Sequence, residues 1–112
     1  MKEEYRQMKF RMGIFQIRNK INNKVFIGSS NDLIAKWNSQ KFQLEAGMHA
    51  NAELQKDWNE KGEENFEYSI LDEIDQGDDT EKNNKDLKVL EQLWFEKISP
   101  FDEKGYNRPI KK

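Results

Sequence analysis

Residues 13–30 read GIFQIRNKINNKVFIGSS, and this stretch contains two segments with the composition of β-strands. Residues 13–18 and 24–28 are rich in β-branched and aromatic side chains, which strands favour. Asn22 and Asn23 lie between them, and asparagine adopts a positive φ at low cost. The stretch therefore predicts a β-hairpin whose turn contains the two asparagines.

The chain after the hairpin shows patterns of two helices, a strand and a long final helix. Residues 29–32 are all N-cap candidates for the first helix, Asn51 is a cap candidate for the second and Gly62 its stop. The predicted elements cover about residues 32–45, 51–60 and 65–71, followed by a helix from the polar loop 75–80 to about residue 98.

The composition is that of a small soluble globular protein rather than a disordered chain. The 112 residues are 36% charged, but three Trp, seven Phe and three Tyr supply apolar area for a core. The absence of Cys excludes disulfides and thiolate metal sites, and the single histidine, His49, excludes a multi-histidine metal site. No run is long enough to cross a membrane, and residues 1–4 are unlike a secretory signal. We therefore expect a cytoplasmic protein, monomeric by default, without a membrane partner.

The net charge of −2 conceals an uneven distribution along the chain. Residues 1–44 carry nine Lys/Arg and three Asp/Glu (+6), residues 45–103 carry six and eighteen (−12), and residues 104–112 carry four and none (+4). If the two basic ends meet in space, they can present a positive face to phosphate. Otherwise the acidic middle is a solvated helical surface, and of the two the sequence favours this second interpretation.

Two polar side chains lie on or beside the apolar stripe of the first predicted helix. At about 100° per residue, Leu33, Trp37 and Leu44 define the stripe. Lys36 and Gln40 fall close to it, and they are neighbours because they are four residues apart.

The last predicted helix has a carboxylate in a similar place. Its stripe consists of Leu87, Leu90, Trp94 and Ile98, and Glu91 lies at the edge of this stripe. A carboxylate facing the protein needs a cation, a metal ion or hydrogen bonds. Two interpretations stay open: a stripe-edge carboxylate that reaches water or pairs with a lysine, and a functional group.

An ordered set of short motifs resembles the GIY-YIG endonuclease family. In chain order the motifs are Gly13-Ile14-Phe15, Phe26-Ile27-Gly28, Ser29-Ser30, Lys36-Trp37-x-x-Gln40, His49-x-Asn51-x-x-Leu54-Gln55-x-Asp57-Trp58, Gly62-Glu63-Glu64-Asn65-Phe66, Leu90-Glu91 and Tyr106-Asn107. These motifs have the order and spacing found in the family, and the resemblance depends on that ordered set more than on any single motif. It implies an α/β fold of the α+β type, with a small three-stranded antiparallel sheet flanked by three main helices. It also implies a single domain over residues 1–112, with its core at about residues 12–108.

The resemblance implies metal-dependent phosphodiester hydrolysis of DNA. In active members two motif tyrosines and an arginine activate water and hold the phosphate, and a helical glutamate binds a divalent metal. By motif position these active-site roles fall on Phe15, Phe26, Lys36, Gln40, Glu91 and Asn107, with Gln40 and Asn107 as auxiliary positions. DNA is the implied partner, and Mg²⁺ or Mn²⁺ at Glu91 is the implied cofactor.

Four of these six positions depart from the family pattern. Phe15 and Phe26 keep the ring but lack the hydroxyl, so neither can accept a proton or orient water. Lys36 replaces a planar five-donor guanidinium with a point charge, and Gln40 stands where the family has a histidine. These changes preserve shape and remove chemistry, which predicts a catalytically impaired domain that binds nucleic acid or has a structural role.

Two other functions stay open, an active endonuclease and a protein-interaction module. The roles of His49 and Glu91 also stay open. A divergent but active endonuclease would need another hydroxyl, from Tyr5, Tyr68 or Tyr106. A protein-interaction module without a nucleic-acid partner would fit the acidic middle of the chain. We expect His49 to be a cap or surface hydrogen-bonding group, and Glu91 either to bind metal or to be neutralised by Lys36.

Overall fold

The computed structural model of the chain describes residues 11–74 and 77–107. Within these ranges the chain forms a three-stranded antiparallel sheet of order β2-β1-β3 and three α-helices. The elements are β1 (Met12–Asn19), β2 (Val25–Ser30), α1 (Leu33–Glu45), α2 (Ala52–Lys61), β3 (Phe66–Ile74) and α3 (Thr80–Ile98). Short 3-10 turns occur at Glu63–Asn65 and Asp102–Lys104. The predicted α+β fold is confirmed.

The predicted hairpin is present, and its turn uses the second asparagine. β1 and β2 pair antiparallel from Gly13↔Ser30 to Arg18↔Val25. Asn23 has φ 65°, in the left-handed region that asparagine tolerates. β2 extends to Ser30, beyond the predicted end at residue 28, because both serines pair with β1.

Side chains at the helix starts accept hydrogen bonds from otherwise unpaired backbone N–H groups. Asp32, Asn51 and Asp79 accept from the amides of the third residue after each of them, at 3.0, 3.0 and 3.1 Å. Such caps contribute about 1 kcal/mol each. The predicted cap at Asn51 and stop at Gly62 are confirmed, and Asp32 is the cap among the four candidates before α1.

The third strand is longer than predicted, because a bulge interrupts its alternation. β1 pairs Ile14 with Asp72 and Phe15 with Ile70, so that Leu71 is the extra residue on β3. The bulge breaks the period-two pattern at the predicted end of the strand, and pairing resumes as far as Ile74. Residues 75 and 76 of the predicted polar loop lie outside the described residues.

The helices cover both faces of the sheet. The first face packs against α1 and α2, and its cluster contains Phe15, Ile17, Leu33, Leu44, Leu54, Trp58, Phe66 and Tyr106, with Phe26, Trp37, Tyr68 and Ile70 partly buried. The second face packs against α3, and its cluster contains Met12, Ile14, Val25, Ile27 and Leu87, with Leu71, Ile74, Leu90, Trp94, Phe95 and Ile98 partly buried. All three tryptophans therefore pack in the core, as predicted. In the part of the chain that the structure describes, no helix is long and apolar enough to cross a membrane.

Candidate functional site

Two phenylalanine rings lie together on the first face of the sheet. Phe15 and Phe26 come from neighbouring strands, with ring centroids 6.3 Å apart. Phe15 is 1% exposed, and its ring lies over its pairing partner Gly28. A Cβ on Gly28 would approach Cζ of this ring to 2.7 Å. The missing side chain at Gly28 therefore makes room for the aromatic ring.

His49 and Gln40 form a hydrogen-bonded pair beside these rings. His49 Nδ1 accepts from the backbone amide of Asn51 at 3.0 Å. Its Nε2 therefore carries the hydrogen and donates to Oε1 of Gln40 at 2.6 Å. The edge of the imidazole contacts the Phe26 ring, with centroids 5.6 Å apart and planes at 84°. The hydrogen-bonding role was predicted for His49, but its place between Phe26 and Gln40 was not.

Lys36 lies half-buried on α1, one turn before Gln40. Burial lowers the pKa of His49, and the positive charge of Lys36 lowers it further. The imidazole is therefore neutral at pH 7, with its lone pair engaged by the Asn51 amide. Among the charged side chains that the structure describes, Lys36 is the one whose charge affects the pKa of His49.

The His49 environment predicts a loss of stability on mild acidification. Its pKa is lowered in the folded state, so the unfolded chain binds a proton first as the pH falls below about 6.5. The free energy of unfolding should therefore decrease from that pH down to the lower folded-state pKa. Urea unfolding at about pH 7.5 and about pH 5.5 measures this decrease. His49→Gln is the control and should show a smaller decrease; equal decreases in both proteins would contradict the prediction.

Four of the six lysines and arginines that the structure describes in residues 11–44 are paired with carboxylates from the acidic middle of the chain. The ion pairs are Arg11–Glu73, Arg18–Glu67, Lys24–Glu53 and Lys41–Glu63. Each exposed pair contributes at most about 1 kcal/mol. Among the lysines and arginines of residues 11–44, Lys20 and Lys36 have no carboxylate from the described residues within 4.0 Å. These four pairs neutralise part of the uneven charge, and Lys36 stays outside them in the part of the chain that the structure describes.

Asn107 closes the outer edge of β2. Its Nδ2 donates to the carbonyl of Ile27 and its Oδ1 accepts from the amide of Ile27, both at 2.8 Å. The preceding residue, Tyr106, donates its amide to the carbonyl of Val25 at 2.9 Å. The side-chain amide of Asn107 is therefore engaged with the strand next to Phe26.

Glu91 lies on α3, the helix that packs against the opposite face of the sheet. It is half-buried, as its place at the stripe edge predicts. Within residues 11–74 and 77–107, no side chain makes a hydrogen bond or ion pair with its carboxylate. The interpretation in which Lys36 neutralises Glu91 is therefore wrong: no ion pair joins the two residues, which lie on helices covering opposite faces.

Comparisons with known proteins identify the architecture. Two structures of the catalytic domain of the intron endonuclease I-TevI, one of a mutant, align with 88% of this chain at TM-score 0.73 and 33% identity. The alignments cover 93% and 99% of those domains. The chain belongs to the GIY-YIG family. No protein-family model matches it.

A curated relative of this GIY-YIG protein is intron-associated endonuclease 1 of Enterobacteria phage T4. The two are 38% identical over 96 residues, which is 85% of this chain. The match covers 36% of the phage protein, so this chain spans about a third of the length of that relative.

The GIY-YIG positions gather only in part. The described contacts join Phe15 to Phe26, Phe26 to His49 and His49 to Gln40, with Lys36 acting on His49 by its charge. They do not join Glu91 to this group. The sequence signal for His49 was its place inside a motif segment. That signal did not predict the contact of His49 with Phe26.

The tyrosines considered as substitutes for the GIY-YIG phenols are engaged elsewhere. The Tyr68 hydroxyl donates to the carbonyl of Leu33 at 2.7 Å, and burial raises its pKa to about 12. The Tyr106 hydroxyl donates to Asp57 at 2.7 Å, and burial with this carboxylate raises its pKa as well. Both phenols are therefore protonated at neutral pH. Tyr5 lies outside the described residues.

The donor chemistry at Glu91 suits the divalent ion that the GIY-YIG family implies. Among the described residues there is no cluster of three or more His, Asp or Glu side chains. Mg²⁺ nevertheless commonly binds through one or two carboxylates, retained waters and substrate phosphates. A half-buried carboxylate with no partner among residues 11–74 and 77–107 fits that arrangement.

Proposed function

We propose that this chain is a GIY-YIG nuclease-like domain with impaired phosphodiester hydrolysis that acts as a nucleic-acid-binding module. One observation carries the proposal: among the described residues, the group around the two motif positions contains no free proton acceptor. Phe15 and Phe26 present phenyl rings. Gln40 and His49 are hydrogen-bonded to each other, and the remaining imidazole nitrogen is engaged by a backbone amide.

Hydrolysis needs a group that accepts the proton of the attacking water. A phenyl ring and a carboxamide cannot accept it at neutral pH, and the lysine at position 36 is cationic. Loss of a positioned base typically lowers the rate about 10²–10⁴-fold, and loss of one electrostatic donor lowers it about 10²–10³-fold. These losses do not simply multiply, but together they support a very low rate.

The groups that remain favour binding over chemistry. Glu91, on the helix that packs against the opposite face of the sheet, would hold the divalent ion, and the ion would neutralise phosphate charge. Lys36 would contact the phosphate backbone as a point charge, without the bidentate geometry of arginine. Because the ion pairs described above neutralise neighbouring cations, we expect weak binding involving about one or two phosphates.

The test of the catalytic part is incubation of the purified protein with supercoiled plasmid and Mg²⁺ or Mn²⁺. We expect no more nicking by the wild-type chain than by Glu91→Ala. Nicking by the wild type that disappears in Glu91→Ala would show an active, divergent endonuclease instead.

The binding part is tested with the same protein and a labelled duplex. We expect an affinity that falls as salt rises, with a shallow slope that Lys36→Met reduces further. A titration without binding at low salt contradicts the nucleic-acid part of the proposal and leaves a structural or protein-interaction role.

A further inference from the structure

Tyr68 occupies the centre of an aromatic stack on the first face of the sheet. Its ring stacks on Phe15, with centroids 5.5 Å apart and planes at 26°, and on Trp37, at 4.8 Å and 18°. Phe15 belongs to β1, Tyr68 to β3 and Trp37 to α1. The stack therefore connects a motif position of the sheet to the helix that carries Lys36 and Gln40.

The hydroxyl of Tyr68 adds a directional contact to this stack. It donates to the carbonyl of Leu33, the first residue of α1, at 2.7 Å. The amide of Leu33 donates to the carbonyl of Arg11, just before β1, also at 2.7 Å. The same residue of α1 is thus bound to two adjacent strands, by a side chain of β3 and by the backbone just before β1.

The anchored turn lies directly before the polar groups of the site. Lys36 and Gln40 follow Leu33 by three and seven residues, on the same side of the helix. A helix moves as a rigid unit over such short distances, so a shift of its first turn also moves both side chains relative to the sheet. The His49–Gln40 hydrogen bond of 2.6 Å tolerates little displacement.

We infer that Tyr68 is a positioning residue of the candidate site: its hydroxyl fixes the first turn of α1, and thereby holds Lys36 and Gln40 over the sheet. Stacking alone does not need the hydroxyl, since phenylalanine offers the same ring. The hydrogen bond sets the position of the helix along the stack, because stacked rings can slide while a 2.7 Å contact cannot. The importance of the position of α1 for phosphate binding rests on the proposed function. The role of Tyr68 in fixing that position does not depend on the proposed function.

His49 provides a direct readout of the position, because it is the only histidine among the 112 residues. Its ring protons can be followed by NMR through a pH titration without assignment of the other residues. Lys36→Met should raise the pKa of His49, because it removes a neighbouring positive charge. Tyr68→Phe should shift the pKa of His49 in the wild type, and the shift should shrink in the Lys36→Met background.

Tyr106→Phe is the matched control for a purely structural effect. It removes a hydroxyl that donates to Asp57 of α2 at 2.7 Å and accepts from Asn19 of β1 at 3.1 Å, and neither partner belongs to α1. We expect both substitutions to lower urea stability, Tyr106→Phe by more, because it removes two hydrogen bonds and Tyr68→Phe removes one. Only Tyr68→Phe should alter the titration of His49 and weaken DNA binding, by about two- to tenfold.

Two results would overturn the inference. One is a Tyr68→Phe protein in which His49 titrates as in the wild type while Lys36→Met shifts it. The other is an equal His49 shift in Tyr68→Phe and Tyr106→Phe. If the wild-type chain does not bind DNA, the proposed function fails, and the His49 titrations still decide the role of Tyr68.

Discussion

A chain that combines Phe15→Tyr, Phe26→Tyr, Lys36→Arg and Gln40→His is expected to nick supercoiled plasmid about 10²-fold faster than the wild type, or more. The substitutions restore, at the motif positions, the groups that the family resemblance implies for water activation and phosphate binding. The scaffold already places the two rings 6.3 Å apart. Gln40 already lies within hydrogen-bonding distance of His49.

Controls separate restored chemistry from contamination or misfolding. Glu91→Ala in the restored background should remove the gained nicking if Glu91 holds the metal ion. A version that keeps Phe15 is also needed, because this ring is 1% exposed and a new hydroxyl there requires a hydrogen-bond partner. Restored proteins that retain wild-type urea stability and still show no nicking would contradict the idea that these four substitutions account for impaired catalysis.

Replacement of Gly13 by alanine is expected to destabilise the fold by about 3 kcal/mol. Its Cβ would lie 2.0 Å from the carbonyl oxygen of Asp72 and 2.8 Å from Cα of Glu73. Both are backbone atoms of β3, so no side chain can move aside. The methyl group can be accommodated only if β1 and β3 separate next to the bulge.

Gly47→Ala is the matched control for the Gly13 substitution. Gly47 has φ 75° and would place its Cβ more than 4 Å from any other group, so it should lose only about 1 kcal/mol from backbone strain. Urea unfolding of both variants measures the difference. Equal losses would show that the β1–β3 approach at Gly13 is looser than the structure indicates.

Local signals in the sequence predicted most of the fold. The turn at Asn23, the cap at Asn51 and the stop at Gly62 depend on residues within a few positions of one another. Helical periodicity also predicted that Gln40 and Glu91 face the protein, because both lie on or beside the apolar stripe of their helix. Each of these follows from backbone conformation or helical periodicity, which neighbouring residues determine.

Contacts between distant residues accounted for the differences between prediction and structure. His49 was correctly expected to form hydrogen bonds, but its contact with Phe26 crosses 23 residues of chain. The bulge at Leu71 requires the register with β1, which no local pattern encodes. The bond from Tyr68 to Leu33 crosses 35 residues, so the alternation of β3 could not reveal it.

The amino-acid sequence alone determined the hairpin, the helix boundaries and the motif order that identifies a GIY-YIG domain, because these depend on local conformation and on residue identity. The tertiary structure alone decided which charges meet, which hydroxyls are engaged and which motif positions touch. Folding paired four cations of residues 11–44 with distant carboxylates, and the pairs described do not include Lys20 or Lys36. It also placed Glu91 on the helix behind the sheet. Pairing and burial depend on how separate elements pack, and that information exists only when the whole chain is folded.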